Sequence, residues 1–135
     1  MKIEFVAGVT PITTDPAAST ALYRDAMGLP LQGEEGYLST ESLGGVKHMG
    51  VWPLEAAAKS CFGRETWPED VPVPQATIEF EVESVSAVGE AADELEAKGY
   101  ELIHGAKEEP WGQTIARLLS PEGLLIGLSY TPWMH

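Results

Sequence analysis

Apolar and polar side chains alternate at two places in the chain, near its start and just past its middle. Residues 2–10 (KIEFVAGVT) and residues 76–83 (ATIEFEVE) both follow a period of two. In an extended chain this period places successive side chains on opposite faces. Each segment is therefore predicted to be a β-strand with one buried face and one more polar face.

A helical pattern follows each of these strands and ends at a glycine. Asp15, followed by a proline, is a helix start, because an aspartate accepts hydrogen bonds from free N–H groups and a proline in the first turn loses none. We predict the first helix over residues 16–27, where apolar side chains recur at helical spacing. The second helix is predicted to begin after Ser84 or Ser86 and to end at Gly99.

The order of one strand, one helix and three strands then occurs twice. Shorter apolar segments between glycine-rich turns predict further strands at 29–33, 36–40, 46–52, 100–104, 113–119 and 124–130. A single helix covers only one face of each half of the sheet, so pairing the two halves can enclose a cleft on the other face. We predict an α+β fold in which two βαβββ modules form a curved mixed sheet around a cleft.

These modules are predicted to belong to a single domain of residues 1–135. The first module covers about residues 1–53, a connector about 54–75, and the second module about 76–135. The connector offers two helical turns at 54–62 before a proline-rich stretch that cannot be helical. A length of 135 residues with 44% hydrophobic content is sufficient for one buried core.

Charge and cysteine content narrow the partners and the location. The chain has 8 Lys and Arg against 21 Asp and Glu, a formal net charge of −13, which repels phosphate backbones and anionic lipid headgroups. No run of about eighteen apolar residues is present to cross a membrane. The single cysteine, Cys61, cannot form an intramolecular disulfide, and we interpret it as structural. We expect a cytoplasmic protein with no nucleic-acid partner and no membrane association.

Two segments resemble a known superfamily. Residues 15–29 (DPAASTALYRDAMGL) and residues 110–128 (PWGQTIARLLSPEGLLIGL) are similar to the most recognisable stretches of the vicinal oxygen chelate superfamily. This group includes glyoxalase I, extradiol dioxygenases, fosfomycin-resistance enzymes and bleomycin-resistance proteins. Ser120 stands where the family usually has an aspartate, although a serine can still hydrogen-bond the turn backbone. The resemblance covers nearly the whole chain and implies the two-module fold and a homodimer.

The resemblance also implies where metal ligands would lie. Members that do metal chemistry place His, Gln or Glu on the opening strand of each module and Glu on the closing strand. Carried over by register from the helix starts and the Pro-x-Gly turn, these positions fall at Gly8, Thr77 and Gly127. Two glycines offer no side chain, and a neutral threonine hydroxyl is a poor ligand. We therefore predict no metal and no other cofactor, with a divalent metal as the alternative.

Three other side chains can supply chemistry in the predicted cleft, namely His48, Glu79 and Glu81. Alternation places both carboxylates on the face away from the helix. His48 with one of them could hold a metal or act as an acid-base pair. Alternatively, all three are polar lining of a wet cleft, or the carboxylates form ion pairs with Arg117 and Lys47 of neighbouring strands.

Aromatic side chains complete the predicted ligand site. Three tryptophans fall in strands or loops that would border the cleft, and flat rings suit planar or apolar ligands. No catalytic residue is assigned. The predicted ligand-binding residues are His48, Trp52, Trp67, Thr77, Glu79, Glu81 and Trp111.

Three functions remain open at this point. The first is a metal-independent binding protein of the bleomycin-resistance type, a homodimer that sequesters a small aromatic or cationic molecule. The second is a metal-dependent lyase, isomerase or dioxygenase of the same superfamily with an unconventional site. The third is a module with a collapsed cleft that serves only in assembly. The lack of ligand side chains at Gly8, Thr77 and Gly127 favours the first.

Overall fold

Eight strands and three helices are formed by residues 1–34 and 36–135, which the computed structural model describes. The strands are β1 (Phe5–Thr13), β2 (Gln32–Glu34), β3 (Tyr37–Thr40), β4 (His48–Pro53), β5 (Ala76–Glu81), β6 (His104–Glu108), β7 (Thr114–Leu119) and β8 (Leu125–Tyr130). The helices are α1 (Pro16–Thr20), which continues as a π-helical segment (Ala21–Ala26), then α2 (Leu54–Phe62) and α3 (Val85–Ala97), and a 3-10 turn (Pro132–Met134) follows β8.

The strands form one mixed sheet in the order β2-β3-β4-β1-β5-β8-β7-β6. The opening strands of the two halves, β1 and β5, pair antiparallel at its centre. On their other sides, β1 pairs in parallel with β4, the closing strand of the first half, and β5 pairs in parallel with β8, the closing strand of the second half. The sheet is therefore built from two equivalent halves, and the predicted α+β class with two βαβββ units is confirmed.

Side-chain caps begin both predicted helices. Asp15 Oδ1 and Ser84 Oγ each accept a hydrogen bond from the backbone amide three residues later, both at 3.1 Å. Ser84 rather than Ser86 is thus the cap of α3. Gly99 follows α3 with a φ of +94°, a left-handed conformation that a residue with a side chain rarely adopts. The caps predicted from the sequence therefore determine where these helices start and stop.

Three strands lie away from their predicted positions, and one of them is β2, which begins three residues later than predicted, at Gln32. β1 begins and ends three residues later than predicted, at Phe5 and Thr13. β6 begins at His104, where the predicted strand ends. The residues before β6 still close α3, since the amide of Tyr100 donates to the carbonyl of Leu95 at 3.0 Å. Extended pairing therefore starts only after this helix end is complete.

The helices divide between the two faces of the sheet. On the outer face, Val88 of α3 shares a buried apolar cluster with Val82, and Tyr23 of the π-helical segment packs on a cluster that contains Val51. On the opposite, inner face, α2 packs with Trp52 and Leu125. The inner face at the middle of the sheet stays open and forms the floor of a cavity. No helix in the described part of the chain is long and apolar enough to cross a membrane.

Candidate functional site

The inner face of the sheet bounds a cavity of about 420 Å³. Its walls include four aromatic side chains, Tyr37, Trp52, Trp111 and Trp133. Trp111 and Trp133 are 49% and 50% exposed, so they lie on the side that opens to solvent. A volume of several hundred Å³ suits a small organic molecule. The collapsed cleft of the third hypothesis is therefore wrong.

Five residues form a line across the cavity floor, one on each of five neighbouring strands. His48 pairs with Gly8, which pairs with Glu79. Glu79 also pairs with Gly127, which pairs with Arg117. Residues paired directly across strands share a face, and the three that carry long side chains all line the cavity. We call these five residues the floor row. Its three polar residues lie on the first, third and fifth of the five strands, so the backbones of neighbouring polar residues are two strand spacings, or about 10 Å, apart.

The two glycines of the floor row leave little room for a metal-binding side chain. A Cβ at Gly127 would lie 2.7 Å from Cδ1 of Ile115 and 3.2 Å from Cγ of Glu79. Ile115 is fully buried and occupies the space above Gly127. A Cβ at Gly8 would lie 3.3 Å from the carbonyl oxygen of His48. A side chain at either position therefore fits only if its neighbours shift, by more at Gly127 than at Gly8.

The register predicted for the second opening strand is wrong by two residues. Glu79, not Thr77, is the residue of β5 that stands in line with Gly8 and Gly127. Thr77 lines the cavity farther along the same strand, where it pairs with Thr10. The floor row consequently contains Glu79 and His48 as possible metal ligands. Among residues 1–34 and 36–135, no group of three or more His, Cys, Asp or Glu is placed to hold a metal ion.

His48 is held between Tyr37 and Glu41. The Tyr37 hydroxyl and His48 Nε2 are 3.0 Å apart, and His48 Nδ1 lies 3.6 Å from Glu41 Oε1. Burial, followed by the negative charge of Glu79, raises the pKa of Tyr37 to about 12, despite an opposing hydrogen bond with Ser39. The phenol therefore keeps its proton near neutral pH, and it can donate to Nε2 in the His48 tautomer that carries its N–H on Nδ1.

Glu79 is held by Gln113 rather than by a cation. Gln113 Nε2 donates to Glu79 Oε1 at 2.9 Å and to Thr131 Oγ1 at 3.0 Å. Gln113 Oε1 accepts in turn from the indole N–H of Trp111 at 3.0 Å. The predicted ion pairs of the carboxylates with Arg117 and Lys47 are wrong. Arg117 pairs with a different acid, Glu109. The Lys47 ammonium lies 5.1 Å from the centre of the Phe5 ring.

Arg117 is fully buried at the far end of the floor row. Its Nη1 donates to Glu109 Oε1 at 2.7 Å and to His104 Nε2 at 3.2 Å. His104 can accept because its Nδ1 donates to the carbonyl of Gly105 at 2.7 Å, which leaves Nε2 unprotonated. Burial first, and the positive charge of Arg117 as a further cause, lower the pKa of His104 to about 4. The ring of Trp52 has its centre 5.5 Å from the Arg117 Cζ.

Glu81 is not part of the cavity lining, contrary to the prediction. Its side chain is fully buried, and its two oxygens accept from the Ser129 hydroxyl, the Thr131 amide and hydroxyl, and His135 Nε2. Residues 131–135 fold back across this end of β5 and cover the carboxylate. Glu81 therefore fixes the C-terminal segment, and this segment brings Trp133 and Met134 to the cavity.

Trp67 is likewise a core residue and not a lining residue. Its indole N–H donates to the carbonyls of Val71 and Pro72 at 3.1 and 3.2 Å. Its ring meets Phe62 edge to face, with centroids 4.9 Å apart. The proline-rich connector wraps around this ring and buries it against α2. The predicted lining role of Trp67 is therefore wrong.

Most of the predicted ligand-binding residues do border the cavity. Alternation along the predicted strand 113–119 places Gln113 and Arg117 on the same face, but their burial and partners could not be read from that pattern. The contribution of the C-terminal segment gave no periodic signal at all. The predicted residues that line the cavity are His48, Trp52, Thr77, Glu79 and Trp111. Their role in binding a ligand stays a prediction.

One family model matches the chain. Residues 7–128 match the model described as Glyoxalase/Bleomycin resistance protein/Dioxygenase superfamily. The resemblance drawn from the two sequence segments is therefore confirmed. A comparison with curated protein sequences gives no significant match.

Solved structures share the fold at low sequence identity. Methylmalonyl-CoA epimerase from Mycobacterium tuberculosis has a TM-score of 0.60 at 16% identity, over 98% of this chain and 91% of that chain. A glyoxalase/bleomycin resistance protein/dioxygenase superfamily member from Vibrio splendidus 12B01 has a TM-score of 0.59 at 14% identity, over 94% and 98%. A variant of methylmalonyl-CoA epimerase from Streptomyces coelicolor, in complex with 2-nitronate-propionyl-CoA, has a TM-score of 0.54 at 15% identity, over 97% of this chain and 96% of that chain. At these identities the similarity shows the fold alone.

Proposed function

Because the chain belongs to the glyoxalase/bleomycin resistance protein/dioxygenase superfamily, we propose that it binds a small molecule without a metal ion, in the manner of a sequestration or resistance protein. The observation that carries this proposal is the floor row. Two of its five positions are glycine, and only His48 and Glu79 are metal-binding residue types. Catalytic metal sites in proteins usually take three protein ligands. The residues present do not fit such a site.

The walls of the cavity support an aromatic or planar ligand. Indole and phenol rings present large flat apolar surfaces at low conformational cost, so they suit a ligand with a flat apolar body. At the floor, Glu79 spends one oxygen on Gln113, and its carboxylate can accept a further bond from a donor or cation on the ligand. The ligand is therefore proposed to combine a flat apolar body with polar groups that meet the floor row.

We also propose that the chain works as a homodimer. Val6 and Val9, on the outer face of β1, are 42% and 39% exposed, between the areas covered by α1 and α3. Leu22, in the π-helical segment, and Met27, at its end, are 52% and 57% exposed. Exposed apolar side chains are what a subunit interface would cover. Size-exclusion chromatography with light scattering should give a dimer mass that Val9→Glu converts to a monomer mass. The cytoplasmic location stays a prediction.

Metal analysis combined with ligand screening tests the proposed function. Protein purified without a tag is assayed for bound divalent metal, and its melting temperature is measured with a panel of small aromatic acids, amides and amines, with and without EDTA. A ligand that binds only the folded state raises the melting temperature. We expect at least one such shift, unaffected by EDTA, in metal-free protein. Stoichiometric tightly bound metal, or ligand binding that EDTA abolishes, would refute metal independence.

The alternative function is a metal-dependent lyase, isomerase or dioxygenase of the same superfamily. It is favoured by one observation, since His48 and Glu79 flank Gly8 on adjacent strands. These two residues would supply only two metal-coordinating groups, so the bound small molecule would have to supply the rest. Isothermal titration with Zn²⁺, Mn²⁺ and Fe²⁺ against the wild type and His48→Ala discriminates between the two functions. Tight binding that the substitution removes would favour the enzyme.

A further inference from the structure

The unpaired polar groups of the buried interior all border the cavity. In the part of the chain that the structure describes, three buried side-chain atoms have no hydrogen-bond partner: Nε and Nη2 of Arg117 and Oγ1 of Thr77. Arg117 is 0% exposed and Thr77 is 2% exposed, and both residues line the cavity. Buried polar groups without partners cost free energy, and a charged one costs the most. Their common location makes the cavity the place from which a partner can reach them.

The unpaired part of Arg117 has a definite shape. Glu109 and His104 both bind Nη1, which leaves the opposite edge of the guanidinium, formed by Nε and Nη2. This edge carries two parallel N–H donors in a planar fork. Such a fork matches the two oxygens of a carboxylate or a phosphate. An anion with two oxygens side by side would satisfy both donors of this edge.

The local charge balance distinguishes these two anions. Lys107 Nζ lies 3.9 Å from Glu109 Oε1, the same oxygen that Arg117 binds, so two cations share one carboxylate. Counted together, Arg117, Lys107 and Glu109 carry one net positive charge. The next polar position of the floor row is the carboxylate of Glu79. One negative charge on the ligand balances the net charge of the three residues, whereas the second charge of a phosphate monoester would face Glu79 without compensation.

We propose that the ligand is an aromatic monocarboxylate whose carboxylate binds the Nε–Nη2 edge of Arg117. Its flat body lies beside Trp52, whose ring borders the guanidinium, and a second polar atom meets the hydroxyl of Thr77. The edge is covered in the ligand-free chain, so the carboxylate displaces a wall side chain as it enters. This inference rests on the proposed function and names the ligand class of the same cavity. It replaces the cationic ligand that the sequence suggested.

Matched ligands test the charge of the ligand on the unmodified protein. The probes are 1-naphthoate and indole-3-acetate, the corresponding neutral amides, and the cation 1-naphthylmethylamine, titrated with tryptophan fluorescence and calorimetry as readouts. The amides have nearly the same size and shape and lack only the charge. We expect each carboxylate to bind at least about tenfold more tightly than its amide, the gain typical of a charge-assisted bidentate pair. Equal binding of acid and amide, or tighter binding of the amine, would overturn the inference.

A conservative substitution locates the carboxylate. Arg117→Lys keeps the charge and a partner for Glu109 but loses the fork, so it should lower carboxylate affinity about tenfold or more and leave amide affinity unchanged. Arg64→Lys is the matched control, because Arg64 is exposed and does not line the cavity. If Arg117→Lys does not fold, Glu109→Gln combined with Arg117→Met removes both charges together and leaves no unpaired buried carboxylate. Unchanged carboxylate preference in a folded variant would refute the assignment to Arg117.

The outcomes separate this inference from the proposed function. If amides or amines bind as well as acids, the cavity is a small-molecule site and only the inferred ligand class is wrong. If none of the acids, amides or amines changes fluorescence or melting temperature, the proposed function itself fails and the inference fails with it. A preference for acids in the wild type that Arg117→Lys abolishes supports both. Where neither variant folds, the comparison of acid with amide in the wild type decides alone.

Discussion

Gly127→Ala tests whether the floor of the cavity is closed above β8. The added Cβ would lie 2.7 Å from Cδ1 of the fully buried Ile115. Overpacking of this kind costs about 1–3 kcal/mol, whereas replacing glycine by alanine at a compatible backbone position stabilises by about 0.4–1 kcal/mol through the unfolded state. We therefore expect the substitution to lower the free energy of unfolding by about 1–2 kcal/mol, measured by urea denaturation.

A double-mutant cycle attributes this loss to one atom. Ile115→Val removes Cδ1 and should cost about 0.5–1.5 kcal/mol in the wild type. In the Gly127→Ala variant the same change removes the colliding atom, so it should cost little or restore stability, a coupling of about 1 kcal/mol or more. Gly105→Ala is the matched control, because a Cβ there meets nothing within 4 Å. Gly127→Ala as stable as the wild type, or an equal cost of Ile115→Val in both backgrounds, would refute the closed floor.

Three further predictions concern buried groups outside the floor row or at its margin. Because burial lowers the pKa of His104 to about 4, the unfolded chain takes up its proton first, so the free energy of unfolding should fall as pH drops from about 6.5 towards 4. His104→Gln should flatten that slope, and parallel curves would contradict the reasoning. Burial raises the pKa of the Cys61 thiol, and the residue is 5% exposed. A disulfide reagent should therefore label Cys61 only when the protein unfolds, and rapid labelling of the native protein would contradict its burial. Glu81→Gln should lower the free energy of unfolding by about 1–3 kcal/mol, because donors face both oxygens; the exposed Glu83→Gln serves as control, and an equal effect of both would remove the structural role.

The fold could be predicted because its signals are local. A period of two, helix caps at Asp15 and Ser84 and glycine stops follow from single residues and their neighbours. The register of the floor could not, since it depends on which residues pair between strands that are far apart in the chain. Equal counting back from the caps Asp15 and Ser84 reaches Gly8 on β1 and Thr77 on β5, whereas Gly8 pairs with Glu79. A slip of two residues keeps the face but moves the position about 7 Å along the strand, which is why Thr77 still lines the cavity.

The roles of Glu81 and Trp67 could not be predicted for a different reason. Alternation correctly placed the Glu81 side chain on the inner face, but what covers that face depends on contacts between residues far apart in the chain. The Glu81 carboxylate meets Thr131, fifty positions later, and the Trp67 ring is buried by the fold of its own connector. A pattern along the sequence reports which face a side chain takes. It does not report which distant segment packs on that face.

Among residues 1–34 and 36–135, two charged side chains are fully buried, Glu81 and Arg117, and they differ in how many of their polar atoms are hydrogen-bonded. Both oxygens of Glu81 accept hydrogen bonds, from a hydroxyl, an amide and an imidazole, so its burial is explained by the C-terminal segment that it holds. Of the three guanidinium nitrogens of Arg117, only Nη1 has hydrogen-bond partners, which are Glu109 and His104. Burying a guanidinium is costly unless its donors are satisfied. The hydrogen bonds of Glu81 therefore account for its burial, whereas the Nε–Nη2 edge of Arg117 has no protein partner, and the carboxylate proposed above would supply one.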